Sequence, residues 1–317
     1  MTTHRVVNAT INCAVRVLRL YIRYSPIRKG KDRLFDLVRW AVKPRTAIFQ
    51  PRTIRTVQGI RMRVDMTDLI QRHIYFWGQW EPDETWLLKQ VLREGDAFID
   101  VGANLGYFTL LGSHLVGRGG VVFALDPSPQ IRDRLQANVA LNECGNIRIL
   151  PYAVSDKSGQ ALFFQHNVNP GQNSLRSLGE QAAGVVKVET VTLDELLPAG
   201  VAVRARLVKM DIEGAELLAL HGMKGLLSRE NGPDVVCEIT DSFLRPLGGS
   251  EADLLSYMKS LGYSGFLVEN RRLIPFDASP GQEQYTAFFT KRVEEAACLI
   301  DREQIGTSSL ARAEARA

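Results

Sequence analysis

Phe98-Ile99-Asp100-Val101-Gly102-Ala103-Asn104-Leu105-Gly106-Tyr107-Phe108-Thr109 is an apolar run that ends in an acid, turns on small residues and opens directly into an apolar helix. A strand, a glycine turn and a helix are the ingredients of a nucleotide-binding βα unit, where backbone passes close to a ligand and only glycine-like positions permit it. The loop reads Asp100-x-Gly102-x-Asn104-x-Gly106. Asn104 stands where a middle glycine is expected, and Asn accepts positive φ more readily than most residues that carry a side chain.

The spacing departs from the dinucleotide fingerprint G-x-G-x-x-G. A carboxylate at Asp100 would repel a pyrophosphate but suit a ligand with an ammonium and a sulfonium, such as S-adenosylmethionine. Both points disfavour a nucleotide-binding oxidoreductase. Twenty residues after Gly106, the run Val121-Val122-Phe123-Ala124-Leu125 ends at Asp126. An acid at that offset is suited to accept two ribose hydroxyl protons. The bland alternative, an ordinary strand-to-helix turn with an unrelated surface acid, loses weight once this second acid stands at the right strand end.

Working outward, Leu105–Val116 reads as a buried helix that ends at Gly117 and points its positive end at the loop. Ser128-Pro129 starts another, and Ile147–Leu150 makes a third strand. Leu207-Val208-Lys209-Met210 is a fourth buried strand, and Asp211-Ile212-Glu213-Gly214-Ala215-Glu216 turns it into a helix expected over Leu217–Leu227. In the doubly wound order 3-2-1-4-5 this strand lies beside the first, and their carboxyl ends form the crevice where ligands collect. Asp211 and Glu213 are therefore base candidates, with pKa values raised by burial and by each other. Lys209 either helps an acceptor electrostatically or buries its stem and pairs with an acid. Glu213 and Glu216, three apart, could share a helix face, although the intervening Gly214 leaves their geometry open. Asp211, Glu213 and Glu238 also offer oxygens to a divalent ion. A carboxylate group alone is an unspecific signal, so no metal ligand is assigned and metal dependence stays open.

The Phe98–Thr109 stretch, Ala153-Val154-Ser155-Asp156, Val191-Thr192-Leu193-Asp194 and Lys209-Met210-Asp211-Ile212-Glu213-Gly214-Ala215-Glu216 resemble, in order, the motifs of the FkbM family of S-adenosylmethionine-dependent methyltransferases. The resemblance runs from His73 to Lys291. It implies an α/β fold, a class I methyltransferase Rossmann-like doubly wound sheet, and O-methylation of a hydroxyl on a sugar, glycolipid or secondary metabolite. It also tilts Ala153, Ser155 and Asp156 toward the adenine edge and makes Glu81, in Trp80-Glu81-Pro82, a cofactor contact. These join Asp100, Gly102, Asn104, Gly106 and Asp126 as cofactor-binding candidates, with Asp211, Glu213 and Lys209 as catalytic ones. Two departures are visible: Asp126 stands where many members carry Glu, and Cys237-Glu238-Ile239 replaces an aromatic-Glu-hydrophobic run.

The 317 residues, 45% of them hydrophobic, suffice for a full core. Cys13, Cys144, Cys237 and Cys298 lie far apart, which favours free thiols and a reducing, cytoplasmic compartment. The net charge of +4 hides an asymmetry: residues 1–63 hold fifteen Lys/Arg and two Asp/Glu, so the remainder carries −9. The organisation expected is a basic extension of helices and a hairpin over 1–66, a catalytic domain over 67–300 and a frayed tail over 301–317. The stretch Ile11–Tyr24 is too short and too charged to span a bilayer. It is either a helix that packs on the domain with its arginines in water or a peripheral contact with the inner face of an anionic membrane. Lys31–Trp40 offers a second basic helix, and Thr53–Val64 a hairpin around Gln58-Gly59. The aromatics between His73 and Trp86 read as core more readily than as a ligand roof. A polar loop after Gln160–Gln165 is expected to border an acceptor pocket. No basic-aromatic reading module points to nucleic acid. The acceptor expected is a small molecule, glycan or glycolipid; a nitrogen or carboxylate acceptor, or a non-catalytic nucleotide-binding module, are the alternatives.

Overall fold

The computed structural model describes residues 2–25, 30–31, 33–35, 50–167, 170–276 and 278–300. Its contacts divide the chain into two units, Met1–Glu81 and Pro82–Ala317, so the division falls later than the expected 66/67. Most of the second basic helix and the whole 301–317 tail lie outside the described residues; Lys31 and Arg33–Phe35 are helical.

In the first unit a helix spans Thr2–Tyr24, and β1 (Arg52–Arg55) pairs antiparallel with β2 (Arg61–Val64). The turn closes as expected around Gln58-Gly59, with Thr56 N–H bonded to the Ile60 carbonyl at 2.8 Å. A further helix, Leu69–Trp77, starts where the Asp68 side chain accepts from Gln71 N–H and stops at Gly78 in the left-handed region. Of the aromatic run, Tyr75 and Phe76 are core, while His73, stacked on Trp77, and Trp77, Trp80 and Trp86 are half-buried. The first helix buries Val15 and Ile22. Arg19 and Arg23 do not reach into water as expected of them: both donate to the Tyr75 carbonyl, at 3.0 and 3.3 Å.

The second unit opens with the helix Pro82–Val91 and is built on one eight-stranded sheet. Five parallel strands form its middle and one edge: β5 (Ile147–Leu150), β4 (Val121–Leu125), β3 (Ala97–Val101), β9 (Ala205–Met210) and β10 (Asp234–Thr240), in that spatial order. This is the 3-2-1-4-5 arrangement expected. Every residue of β3 is buried, because helices cover a parallel sheet on both faces. Each fully buried Leu, Ile or Phe there contributes about 1.5–3 kcal/mol. The sheet continues through β13 (Gln284–Thr290), antiparallel to β10, then β11 (Ser264–Glu269) and β12 (Arg272–Phe276). The three strands that follow β5 form a separate sheet, in the order β6 (Tyr152–Val154), β8 (Ala182–Val191) and β7 (Gly159–His166).

One helix departs from expectation. Leu217–Leu227 is interrupted: Glu216–His221 ends at Gly222 and Lys224–Leu227 follows. A Cβ on Gly222 would collide with the Ser155 carbonyl oxygen, so the chain is pressed against the β6 end there. The second piece is started by Asp194, whose carboxylate accepts from Gly225 and Leu226 N–H at 2.6 and 2.8 Å.

Candidate active site

The carboxyl ends of β3, β4 and β9, together with β6 and the loop after β7, enclose a pocket of about 590 Å³, part of it open to solvent. Its walls are apolar at Leu125, Pro127, Tyr152, Phe163 and Ile212 and polar at Asn104, Asp126, Asn173 and Asp211.

Asp126 ends β4 with its carboxylate buried. Oδ2 accepts from Asn104 N–H at 3.2 Å and Oδ1 from Ser128 N–H at 2.9 Å. Burial pushes its pKa up to about 6, against those amides and Arg132. A carboxylate has about four lone-pair directions, so one amide on each oxygen leaves acceptor capacity for a vicinal diol. Asn104 takes φ 48, as its side chain tolerates. Gly102 takes φ 81, and a Cβ there would collide with the Asp211 carbonyl oxygen. The glycine is thus required by the close approach of the turns that follow the paired strands β3 and β9, as well as by the pocket. Gly106 caps the helix Tyr107–Val116.

At the other edge of the pocket, the turn after β9 carries a carboxylate cluster. Asp211 lines the main pocket and also an adjoining small cavity of about 180 Å³ formed with Glu213, Glu216, Glu238, Thr240 and Phe243. Burial raises the Asp211 pKa and the ammonium of Lys209, 3.6 Å from Oδ2, opposes the rise. Glu213, at φ 56, is pushed up to about 8 by burial, then by Asp211 and Glu216. Glu238 reaches about 8 by burial, Asp211 and Glu213.

The sequence profile of the methyltransferase FkbM domain matches residues 100–264, more than half of the chain. The chain belongs to the FkbM methyltransferase domain family. Over 151 residues it is 31% identical to the hexuronic acid methyltransferase AglP of Haloferax volcanii, covering 48% of this chain. It spans 59% of that relative's length. Among solved structures, an FkbM methyltransferase from Methylobacillus flagellatus is 16% identical with TM-score 0.41, over 70% of this chain and 52% of the other. An S-adenosylmethionine-dependent O-methyltransferase from Thermotoga maritima is 15% identical with TM-score 0.37, over 76% of this chain and 77% of that one.

Within this FkbM domain the pocket gathers Gly102, Asn104, Asp126, Ala153 and Asp211. Other sequence candidates stand elsewhere. Asp100, expected against a cationic ligand, is off the pocket wall and 1% exposed; it accepts from Thr109 Oγ1 at 2.5 Å. Burial lifts its pKa to about 6, with Lys209 and Thr109 pulling it down. Ser155 and Asp156 bond to each other at 3.1 Å and do not line the pocket. Glu81 is the last residue of the first unit, with φ 39, a strained value for a residue before proline. Glu216 does not share a face with Glu213. Its carboxylate turns back to accept from Ile212 and Gly214 N–H at 3.1 and 3.0 Å, holding the turn.

Lys209 is buried and paired with Glu84 at 3.4 Å as well as with Asp211, and its ammonium lies 4.5 Å from the Phe108 ring centre. Of its two expected roles, the structure shows the stem buried and the charge paired. Sequence reasoning missed Glu84, which also accepts from Thr286 Oγ1 at 2.9 Å. It missed Ser174 and Arg176 as well, which donate to the Glu213 carbonyl at 2.8 and 3.2 Å. Arg176 in turn lies 3.8 Å over the Phe243 ring. The only signal for these two was the length of the polar loop that carries them. Among the described residues, no three His, Cys, Asp or Glu are arranged to hold a metal ion.

Proposed function

We propose that the chain is an S-adenosylmethionine-dependent methyltransferase that methylates a neutral hydroxyl of a sugar, glycolipid or secondary metabolite. The observation that carries this reading is the place of Asp211, on the wall of both the larger pocket and the acidic cavity beside it. The residues present fit the cofactor: Asp126 has acceptor capacity for two ribose hydroxyls, and the apolar walls suit an adenine. When bound, the cofactor supplies an electrophilic methyl group on a sulfonium.

The chain's own residues then hold and align the acceptor and move its proton. Asp211 stands where the two cavities meet and takes the hydroxyl proton on its carboxylate, with Glu213 the second candidate. Lys209 keeps Asp211 from rising further in pKa, while Glu84 neutralises the ammonium from the other side. The acidic side chains at one cavity, with Glu213 and Glu238 pushed up to about 8 by burial and by Asp211, suit a hydroxyl that can donate to an ionised carboxylate. A relative named for hexuronic acid supports a carbohydrate as acceptor.

Calorimetric titration with S-adenosylmethionine and, in parallel, with NAD tests the cofactor. Saturable binding of the first alone is expected. Methyl transfer is then screened on neutral glycans against uronic acids and amines, with and without a chelator. Turnover only on amines, or a methyl ester as the sole product from a uronic acid, would reject the hydroxyl acceptor.

A further inference from the structure

The first helix has two apolar faces, and among the described residues one is buried and the other exposed. Val15 and Ile22 are buried. Val17, Leu20, Tyr21 and Tyr24, at i, i+3, i+4 and i+7, form a second stripe that is 62%, 58%, 39% and 69% exposed. Of the ten exposed large hydrophobic residues among the described residues, six lie in Met1–Glu81: these four, Val57 and Leu69. A unit holding about a quarter of the chain thus carries more than half of these residues. Scattered exposed apolar residues are ordinary; a helical stripe of them is not.

The stripe ends beside a concentrated positive charge. Arg23 donates to the Arg55 carbonyl at 2.9 Å, which sets the last turn of the helix against the end of the hairpin. There Arg55 stands directly opposite Arg61, and Arg63, two residues on, shares the same exposed face. The helix itself has no acidic residue, and Arg16 beside the stripe is exposed. No helix among the described residues is long and apolar enough to cross a membrane.

We propose that this face of the first unit docks on the surface of an anionic lipid bilayer, the Val17–Leu20–Tyr21–Tyr24 stripe entering the headgroup boundary and Arg16, Arg55, Arg61 and Arg63 meeting lipid phosphates. Two tyrosines beside aliphatic residues suit that boundary, where one end of the side chain is apolar and the other wet. An apolar stripe with aliphatic anchors distinguishes this surface from a nucleic-acid face, which needs positive charge alone.

The test is co-sedimentation of the full chain with phosphatidylcholine vesicles and with vesicles containing about 30% phosphatidylserine, at low and high salt. Binding to the anionic vesicles alone, weakened by salt, is expected. The exposed-site variant Leu20→Glu/Tyr24→Glu should lower it roughly ten-fold or more, and Arg55→Gln/Arg61→Gln severalfold, with circular dichroism and the thermal transition of both unchanged. Absence of sedimentation by folded protein at low salt would overturn the proposal, as would sedimentation that Leu20→Glu/Tyr24→Glu leaves intact. So would a dimer in light scattering that this variant disperses, or retention on RNA without retention on vesicles. None of these readouts depends on methyl transfer.

Discussion

Lys209 and Glu84 form an ion pair in the interior of the second unit, Nζ to Oε2 3.4 Å, with both side chains almost wholly out of water. A buried pair is held by mutual attraction that offsets a large desolvation cost, so losing one partner leaves an uncompensated charge. Lys209→Met should lower unfolding stability by about 3–5 kcal/mol in urea titration, and Glu84→Gln combined with it should recover part of that loss. Additive losses in the double variant would show that the two groups do not act as a pair.

The carboxylates around Asp211 make stability fall with pH. Glu213 has a folded pKa of about 8 against an ordinary 4.5, so between those values the folded state holds a proton that the unfolded chain has released. Stability therefore declines from the lower value to the higher and levels off above it. Thermal transitions of Glu213→Gln should fall less steeply than the parent's from about pH 5 to about pH 8. Parallel curves would place the shifted group elsewhere.

If Glu213 supplies the base, turnover should rise with pH through about 8, as the carboxyl loses its proton. Glu213→Gln should abolish that limb while cofactor affinity, read by calorimetry, stays the same. If Asp211 is the base, the limb persists in Glu213→Gln and disappears in Asp211→Asn.

Asp126→Asn removes the charge that would meet the ribose hydroxyls but keeps the shape. Hydrogen bonds to a charged group are worth about 1.5–3 kcal/mol, so the variant should bind S-adenosylmethionine roughly 10- to 100-fold more weakly in calorimetry. Unchanged affinity in a folded variant would remove Asp126 from the cofactor site.

Gly102→Ala tests the close approach of the turns after β3 and β9. It places a side chain at φ 81 and drives it into the Asp211 carbonyl. A loss of at least about 2 kcal/mol is expected in the same urea titration. Gly222→Ala, at an ordinary φ, should also destabilise, by collision with the Ser155 carbonyl alone.

The parallel strands were legible because each is a short apolar run closed by a polar or charged residue, as at Asp100, Asp126 and Asp211. Long-range pairing was not. Nothing near Asp100 announces that Thr109, one helix turn inside, takes up its carboxylate, or that Glu84 will face Lys209 across the core. The break at Gly222 was hidden for the same reason: a single glycine in an apolar helical pattern carries little weight until Ser155 lies beside it. Glu216 looked like a second acid on a helix face, whereas the free amides of a helix start attracted it back onto the turn. Positive charge in the first 63 residues was plain; that Arg19 and Arg23 are spent on the Tyr75 carbonyl was not.

Ser174 and Arg176, from the excursion between β7 and β8, are both fastened to the carbonyl of Glu213. The segment that lines the pocket through Gly171, Asn173 and Leu175 and the turn that carries the acid candidates are therefore one mechanical part. Grafting a foreign loop at this place, the obvious way to retarget such an enzyme, would also shift the acid; new acceptors are better sought through side chains that leave those two anchors in place.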